Sequence, residues 1–230
     1  MSREDDNNIS LVPSQLAALS RTGGASLAAR GLHDLLDAES ADQWLRKSRD
    51  LFAQHRDEES VACIWRGLKM NPNHAELQFS IGLHYKHGWG IAWNDAEAVR
   101  WFRKAAEQGH AGAQCALGEM YENGRSVPED YVQAAIYYRE AAEQGHEGAQ
   151  YRLGKIYDEG RGVAKDYVQA AVWYEKAAGQ GQVVAQYALS WMYKDGKGVP
   201  KNDIQAGIWW RKANDTIKAM KRENLEKRKP

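Results

Sequence analysis

Histidine and cysteine are the residues of this chain with the widest chemical reach, and their spacing decides which reactions are open to it. His74, His110 and His146 share one column of a 36-residue period. Zinc needs ligands at ~2 Å, whereas equivalent residues on packed helices stand ~8 to 10 Å apart. The three therefore read as turn residues. His84 and His87 could offer two ligands from one helical face, but His84 stands in an apolar column with Met120, Ile156 and Met192. A hydrogen-bonded core histidine is the better reading. Cys63 and Cys115 have neither CxxC nor four-ligand zinc spacing, so both read as reduced thiols. Cys115 has no histidine or acid at a fixed spacing to serve as its base. The R-G-V segment at 161–163 and the K-G-V segment at 197–199 follow helices, whereas a phosphate cradle follows a strand. The expectation is a protein that is not an enzyme and needs no cofactor and no metal.

Composition narrows the classes further. The 230 residues hold 31 basic and 31 acidic side chains, which excludes a uniformly basic nucleic-acid binder. Nine Trp and eleven Tyr against three Phe is a skewed aromatic supply that asks for an explanation. No apolar run reaches the ~18 residues of a transmembrane segment, and the start of the chain is acidic and polar where a secretory signal would be basic, then apolar. The expected location is cytoplasmic.

The elements that hold these residues come from a repeat. Offset by 36, residues 74–109, 110–145, 146–181 and 182–217 fall in register without a gap. Within each copy, Ile81 and Tyr85, Leu117 and Tyr121, Leu153 and Tyr157, and Leu189 and Tyr193 stand four apart on one face of a first helix, helix A. A small residue (Gly82, Gly118, Gly154 or Ser190) lies between them, and in mid-helix glycine costs about 1 kcal/mol relative to alanine, which implies close packing. Helix A is expected to end at Gly88, Gly124, Gly160 and Gly196. Helix B opens at Asn94, Asp130, Asp166 and Asn202, with Glu97, Gln133, Gln169 and Gln205 three residues on, the pattern of a reciprocal capping box. A two-helix unit cannot bury its own apolar stripe, so the copies must stack. The column Trp101, Tyr137, Trp173 and Trp209 is expected to fill the space between layers.

The pattern A-Q-x-x-L-G-x-x-Y-x-x-G at 113–124 and 149–160, followed by D-Y-x-x-A-x-x-x-Y-x-x-A-A-x-Q-G, resembles the Sel-one-like repeat, a 36-residue relative of the tetratricopeptide repeat. Residues 41–73 resemble one preceding tetratricopeptide unit through Trp44, Ser48, Leu51, Ser60, Ile64, Gly67, Leu68 and Pro72, with Lys47 departing where Leu is usual. The resemblance implies an all-α fold, an α-solenoid of stacked antiparallel helix pairs. It also implies a protein-interaction adaptor or regulatory scaffold that binds a partner peptide or domain in a groove lined by helix A, in the manner of a bacterial regulatory or immunity component. By the tetratricopeptide analogy the lining begins with Phe79, Cys115, Tyr151 and Tyr187. One turn on come Leu83, Glu119, Lys155 and Trp191, and a turn later Lys86, Glu122, Asp158 and Lys194.

Departures from the columns single out this chain's own features. Trp89 stands where the other copies have Arg125, Arg161 and Lys197, and Trp93 where they have Glu129, Lys165 and Lys201. The sequence allows two readings for these residues and for Trp191: secondary contacts and an anchor for a partner, or aromatics packed under neighbouring segments. Trp65 and Trp210 have no assigned role. Residues 1–40 are read as a polar segment with short capping helices, and 218–230 as a basic helical extension with six basic and two acidic side chains. That tail supports an alternative function, tethering to nucleic acid or to an anionic membrane surface, although nucleic acid is the less expected partner. The expected partner is another protein, and the chain is expected to be a monomer or a weak oligomer.

Overall fold

The structure, a computed structural model, describes residues 40–226. The capping helices expected before residue 40 lie outside the described residues, as do the last four residues of the tail. Ten helices occupy the described residues: α1 (Ala41–Ala53), α2 (Asp57–Met70), α3 (Ala75–His87), α4 (Asp95–Glu107), α5 (Ala111–Glu122), α6 (Tyr131–Glu143), α7 (Glu147–Glu159), α8 (Tyr167–Gly179), α9 (Val183–Asp195) and α10 (Asp203–Glu226). None is long and apolar enough to cross a membrane. The chain divides inside α4 into two compact units, one ending at Lys104 and one starting at Ala105. Each is built of stacked helix pairs.

In the first unit α1 packs on α2 and α2 on α3. Ser40 caps α1 by accepting from the Gln43 amide at 3.2 Å. A polar thread runs through this core: Ser48 and Ser60 share a 2.9 Å hydroxyl hydrogen bond, Ser60 lies 3.5 Å from His84 Nε2, and His84 Nδ1 lies 2.7 Å from the Trp89 carbonyl. A carbonyl can only accept, so Nδ1 carries the proton and Nε2 accepts. His84 is thus a satisfied core histidine, and burial lowers its pKa, which keeps it neutral. Cys63 lies against Trp44 and Leu51, where burial pushes its thiol pKa up to about 11. Trp65 meets Trp101 edge to face at 5.5 Å.

In the second unit α5–α6, α7–α8 and α9–α10 are helix pairs, with α6 on α7 and α8 on α9 joining one pair to the next. The mid-helix glycines explain the closeness within a pair. A Cβ on Gly118 would stand 2.6 Å from the Tyr138 ring, and one on Gly154 would stand 2.7 Å from that of Tyr174. Gly162 closes the stack differently: its φ is +70° and a Cβ would lie 2.4 Å from the Tyr131 carbonyl carbon, so the loop lies directly on the start of α6. Buried glutamines stitch successive pairs. Gln150 donates to the Ala142 carbonyl at 3.1 Å and accepts from Gln180 at 2.8 Å, and Gln186 donates to the Ala178 carbonyl at 3.2 Å.

The caps depart from expectation in one respect. Asp130 and Asp166 each accept from two amides of the following helix at 2.9 and 3.0 Å, and Asn94 and Asn202 each accept from one. The reciprocal arm is not the side chain of Glu97, Gln133, Gln169 or Gln205. The amides of Asn94, Asp130, Asp166 and Asn202 donate instead to the carbonyls of Tyr85, Tyr121, Tyr157 and Tyr193. The left-handed turn after helix A brings that carbonyl back, so the backbone takes the donor that the side chain would otherwise satisfy. Helix α5 ends at Glu122 on an Asn123 cap, ahead of Gly124, while α3, α7 and α9 end on Gly88, Gly160 and Gly196 in the left-handed conformation. The histidine column also has a definite role. Nδ1 of His74, His110 and His146 accepts from the amide three residues on, at 3.4, 3.1 and 3.2 Å, and so caps helix A.

Candidate functional site

The helix A residues of the second unit, on α5, α7 and α9, fall into two kinds. Towards α5 the charges are committed to one another. The Tyr138 hydroxyl donates to Glu122 at 2.6 Å, and Arg152 reaches Glu122 at 3.2 Å and Glu119 at 3.7 Å. The Glu122 side chain is only 11% exposed. Burial and then the hydrogen bond to Glu122 raise the Tyr138 pKa far above the ordinary phenol range, so its proton stays in place. Tyr174 repeats this arrangement, its pKa raised first by burial and then by Asp158, to which it is also hydrogen-bonded. Glu122 and Asp158, expected in the lining, therefore serve first to hold buried tyrosines. Cys115 departs further: at 7% exposure it belongs to the core beside Ala134 and Tyr138, because its small side chain fits where Tyr151 and Tyr187 are too large to be covered.

Towards α9 the surface opens. Tyr151 and Tyr187 are half-buried, with Tyr151 packed beside Tyr174 at 5.9 Å and the Tyr187 hydroxyl donating to Asn214 at 3.2 Å. Lys155 pairs loosely with Glu159 at 3.8 Å. Trp191 is 59% exposed, and Lys194 Nζ lies 5.0 Å from its ring centre. In the first unit the corresponding Phe79, Leu83 and Lys86 are half-buried, with Phe79 against Phe102 at 5.9 Å.

The other departing tryptophans separate. Trp89 is packed, stacked on His87 at 4.3 Å and tilted against Phe52 at 4.9 Å, whereas Trp93 is 62% exposed. Trp210, which sequence reasoning left without a role, is 57% exposed. Its cause is legible one helix earlier. In the preceding copies glycine makes room for the Tyr138 and Tyr174 rings, but Ser190 stands in that column, its Cβ fills the space and its hydroxyl donates to the Ala206 carbonyl at 2.9 Å. The ring at 210 is excluded and turns outward. The signal was a paired change, Gly to Ser on helix A with Tyr to Trp on helix B.

The layer-filling column also has a polar side. Lys104, Lys176 and Lys212 lie 4.6, 4.0 and 4.8 Å from the ring centres of Trp101, Trp173 and Trp209. Each contact contributes about 0.5 to 1 kcal/mol where solvent reaches it. Tyr137 instead stacks on Tyr121 at 5.7 Å, and its copy has Glu140 in place of the lysine.

The Sel1 repeat matches residues 75–110, 111–146, 148–182 and 183–215. Among solved structures, the chain is similar to a protective antigen present in uropathogenic Escherichia coli strains and displaying an SLR fold, at 34% identity over 81% of this chain and 40% of that one, with a TM-score of 0.74. The match thus spans two-fifths of that antigen's length. A Sel1 repeat protein from Oxalobacter formigenes is 32% identical over 74% of this chain and 70% of its own, with a TM-score of 0.68. A sel1 repeat protein from Klebsiella pneumoniae, 16% identical with a TM-score of 0.52, shares the fold. No curated protein matches the sequence. With four tandem matches over most of its length and two solved relatives above 30% identity, the chain belongs to the Sel1 repeat family, α-solenoids of stacked helix pairs that serve as protein-interaction scaffolds.

Proposed function

We propose that the chain is an adaptor that binds a peptide or domain of another protein on the helix A face of its second unit, with the contact centred on α9. One observation carries this reading: Trp191, in the column of Leu83, Glu119 and Lys155, is 59% exposed with a lysine against its ring. Burial of an indole of this size dominates the energetics of many interfaces, and Trp is enriched among interface hot spots. The charges nearer α5 are neutralised internally and suit a rim, while Lys155, Tyr187 and Lys194 flank the anchor. A phosphate backbone would call for clustered Lys and Arg, which this face lacks.

The test is affinity purification from the native cell with wild type, Trp191→Ala and a chain lacking 218–230, each at low and high salt. Trp191→Ala is expected to lose the partner while melting within about 1 °C of wild type, as exposed substitutions do. Retention by Trp191→Ala, with loss on deleting 218–230 and a steep decline with salt, would replace this reading with tethering by the basic tail.

A further inference from the structure

The outward face of helix B in the second unit carries an array that neither the repeat nor the helix A face explains. Val132 and Ile136 on α6, Val168 and Val172 on α8, and Ile204 and Ile208 on α10 occupy the same two columns one turn apart. Their exposures are 51%, 45%, 58%, 41%, 76% and 49%. The three helices are successive neighbours, because Trp173 of α8 shares a core with Ala134 and Tyr138 of α6, and Trp209 of α10 packs on the core containing Ala170 and Tyr174 of α8. The two columns therefore recur as three rungs on one stack of helices. In α4 the same columns hold Ala96 and Arg100, so the repeat itself does not demand apolar residues there.

Helix stability does not demand them either. β-branched residues on an exposed helix face are poorer helix formers than Ala, Leu, Lys or Glu, because they lose χ1 freedom. Six in register expose on the order of 500 Å² of apolar surface, the size at which a patch marks an interaction site. The stripe has no free sheet edge to receive an extended peptide. It does have internal symmetry, since a two-fold axis parallel to α8 lays rung on rung, α8 on α8 and α6 on α10. Two such stripes together bury about 1,000 Å², the lower bound for a specific interface, and the surrounding side chains add to it. On this axis the last turns of α6 (Arg139, Glu140, Glu143) meet the middle of α10 (Arg211, Lys212, Asp215), with net charges of opposite sign. Within one turn of reach Glu143 meets Arg211 of the second copy, while Arg139, Glu140, Lys212 and Asp215, which within their own copy touch Tyr157, Gln114, Trp209 and Lys218, add charge of matching sign beside it.

We propose that this stripe is the contact face of a homodimer, two copies related by a two-fold axis running along α8. The dimer leaves α9 and Trp191 on another face of each copy, so two partner sites are carried by one assembly. Val168 then lies close to its own counterpart. The full chain, measured by sedimentation velocity from 1 to 100 μM, is expected to show a monomer–dimer equilibrium. Val168→Lys with Val172→Lys is expected to weaken it at least 30-fold with an unchanged circular-dichroism melt, while Ala96→Lys and Trp191→Ala leave it intact. Under mild oxidation Val168→Cys is expected to form a covalent dimer and Ala96→Cys is not. A wild type that stays monomeric throughout this range overturns the proposal, as does a dimer that survives the double lysine variant. Disulfide formation by Ala96→Cys equal to that by Val168→Cys would overturn the placement of the axis.

Discussion

The pairs α7–α8 and α9–α10 share one scaffold and differ in what they leave uncovered. In α7–α8, Gly154 admits the Tyr174 ring and Asp158 accepts its hydroxyl, so an aromatic, an acid and a glycine form one buried assembly. In α9–α10 the same three columns hold Ser190, Trp210 and Lys194. The ring is outside, the lysine lies on Trp191, and two indoles face solvent. Three substitutions of ordinary size thus separate a pair that packs its aromatic inside from one that leaves it exposed. The columns change together because one space cannot hold both a Cβ and a ring.

The largest test of that contrast is Gly154→Val, expected to destabilise by about 3 kcal/mol through overpacking against Tyr174, or roughly 10 °C in melting temperature. Ser190→Ala is expected to stay within about 1 kcal/mol, as the loss of one hydrogen bond. Equal losses at the two positions would show that glycine is not making room for the ring. Next comes Tyr138→Phe, which removes a donor to a carboxylate that is only 11% exposed. A hydrogen bond to a charged group is worth about 1.5 to 3 kcal/mol, and chemical denaturation should show a loss in that range; no loss would mean that Arg152 alone satisfies Glu122.

The His84 column gives a pH test. Burial lowers the pKa of both His84 and His146 from the ordinary 6.5. Their stabilising contribution is therefore complete above 6.5 and declines as pH falls through that value towards the depressed folded values. His84→Met, the residue of two other copies, should flatten the melting temperature between pH 7 and 5 relative to wild type. An unchanged slope would assign the acid sensitivity elsewhere.

A smaller effect is expected from Ser190→Gly with Trp210→Tyr and Lys194→Asp, which rebuilds the inner arrangement of glycine, ring and acid in the last pair. Acrylamide should then quench the remaining tryptophans less, and stability should rise by about 1 kcal/mol from the buried ring. Smallest is Gly207→Ala, on an open helical site with nothing within 4 Å of the new methyl. Its expected gain is about 0.5 to 1 kcal/mol, readable as a slight rise in denaturation midpoint.

Much of this was legible in the chain. The 36-residue period, the helix B caps and the role of Gly82, Gly118 and Gly154 follow from columns alone, because a solenoid repeats its local physics in each copy. The commitment of Glu122 and Asp158 was also readable, since tyrosine occurs with the acid and Phe102 and Trp210 occur with Lys86 and Lys194. Other features were not. Trp89 and Trp93 depart from their columns alike, yet Phe52 of α1 supplies a wall for the first and leaves the second exposed. Cys115 sits in an aromatic column and is buried because its size lets neighbours close over it.

By itself the sequence determined the helical period, the pairing and the caps, all of which rest on interactions a few residues apart and on a pattern repeated in each copy. Only the tertiary structure decided which departures from that pattern face solvent, which return arm closes each cap, and that the Val and Ile pairs of α6, α8 and α10 are all exposed. Those outcomes depend on what stands across the interface from each residue. Such neighbours are far away in sequence, and the space they leave is set by packing, which no local pattern encodes.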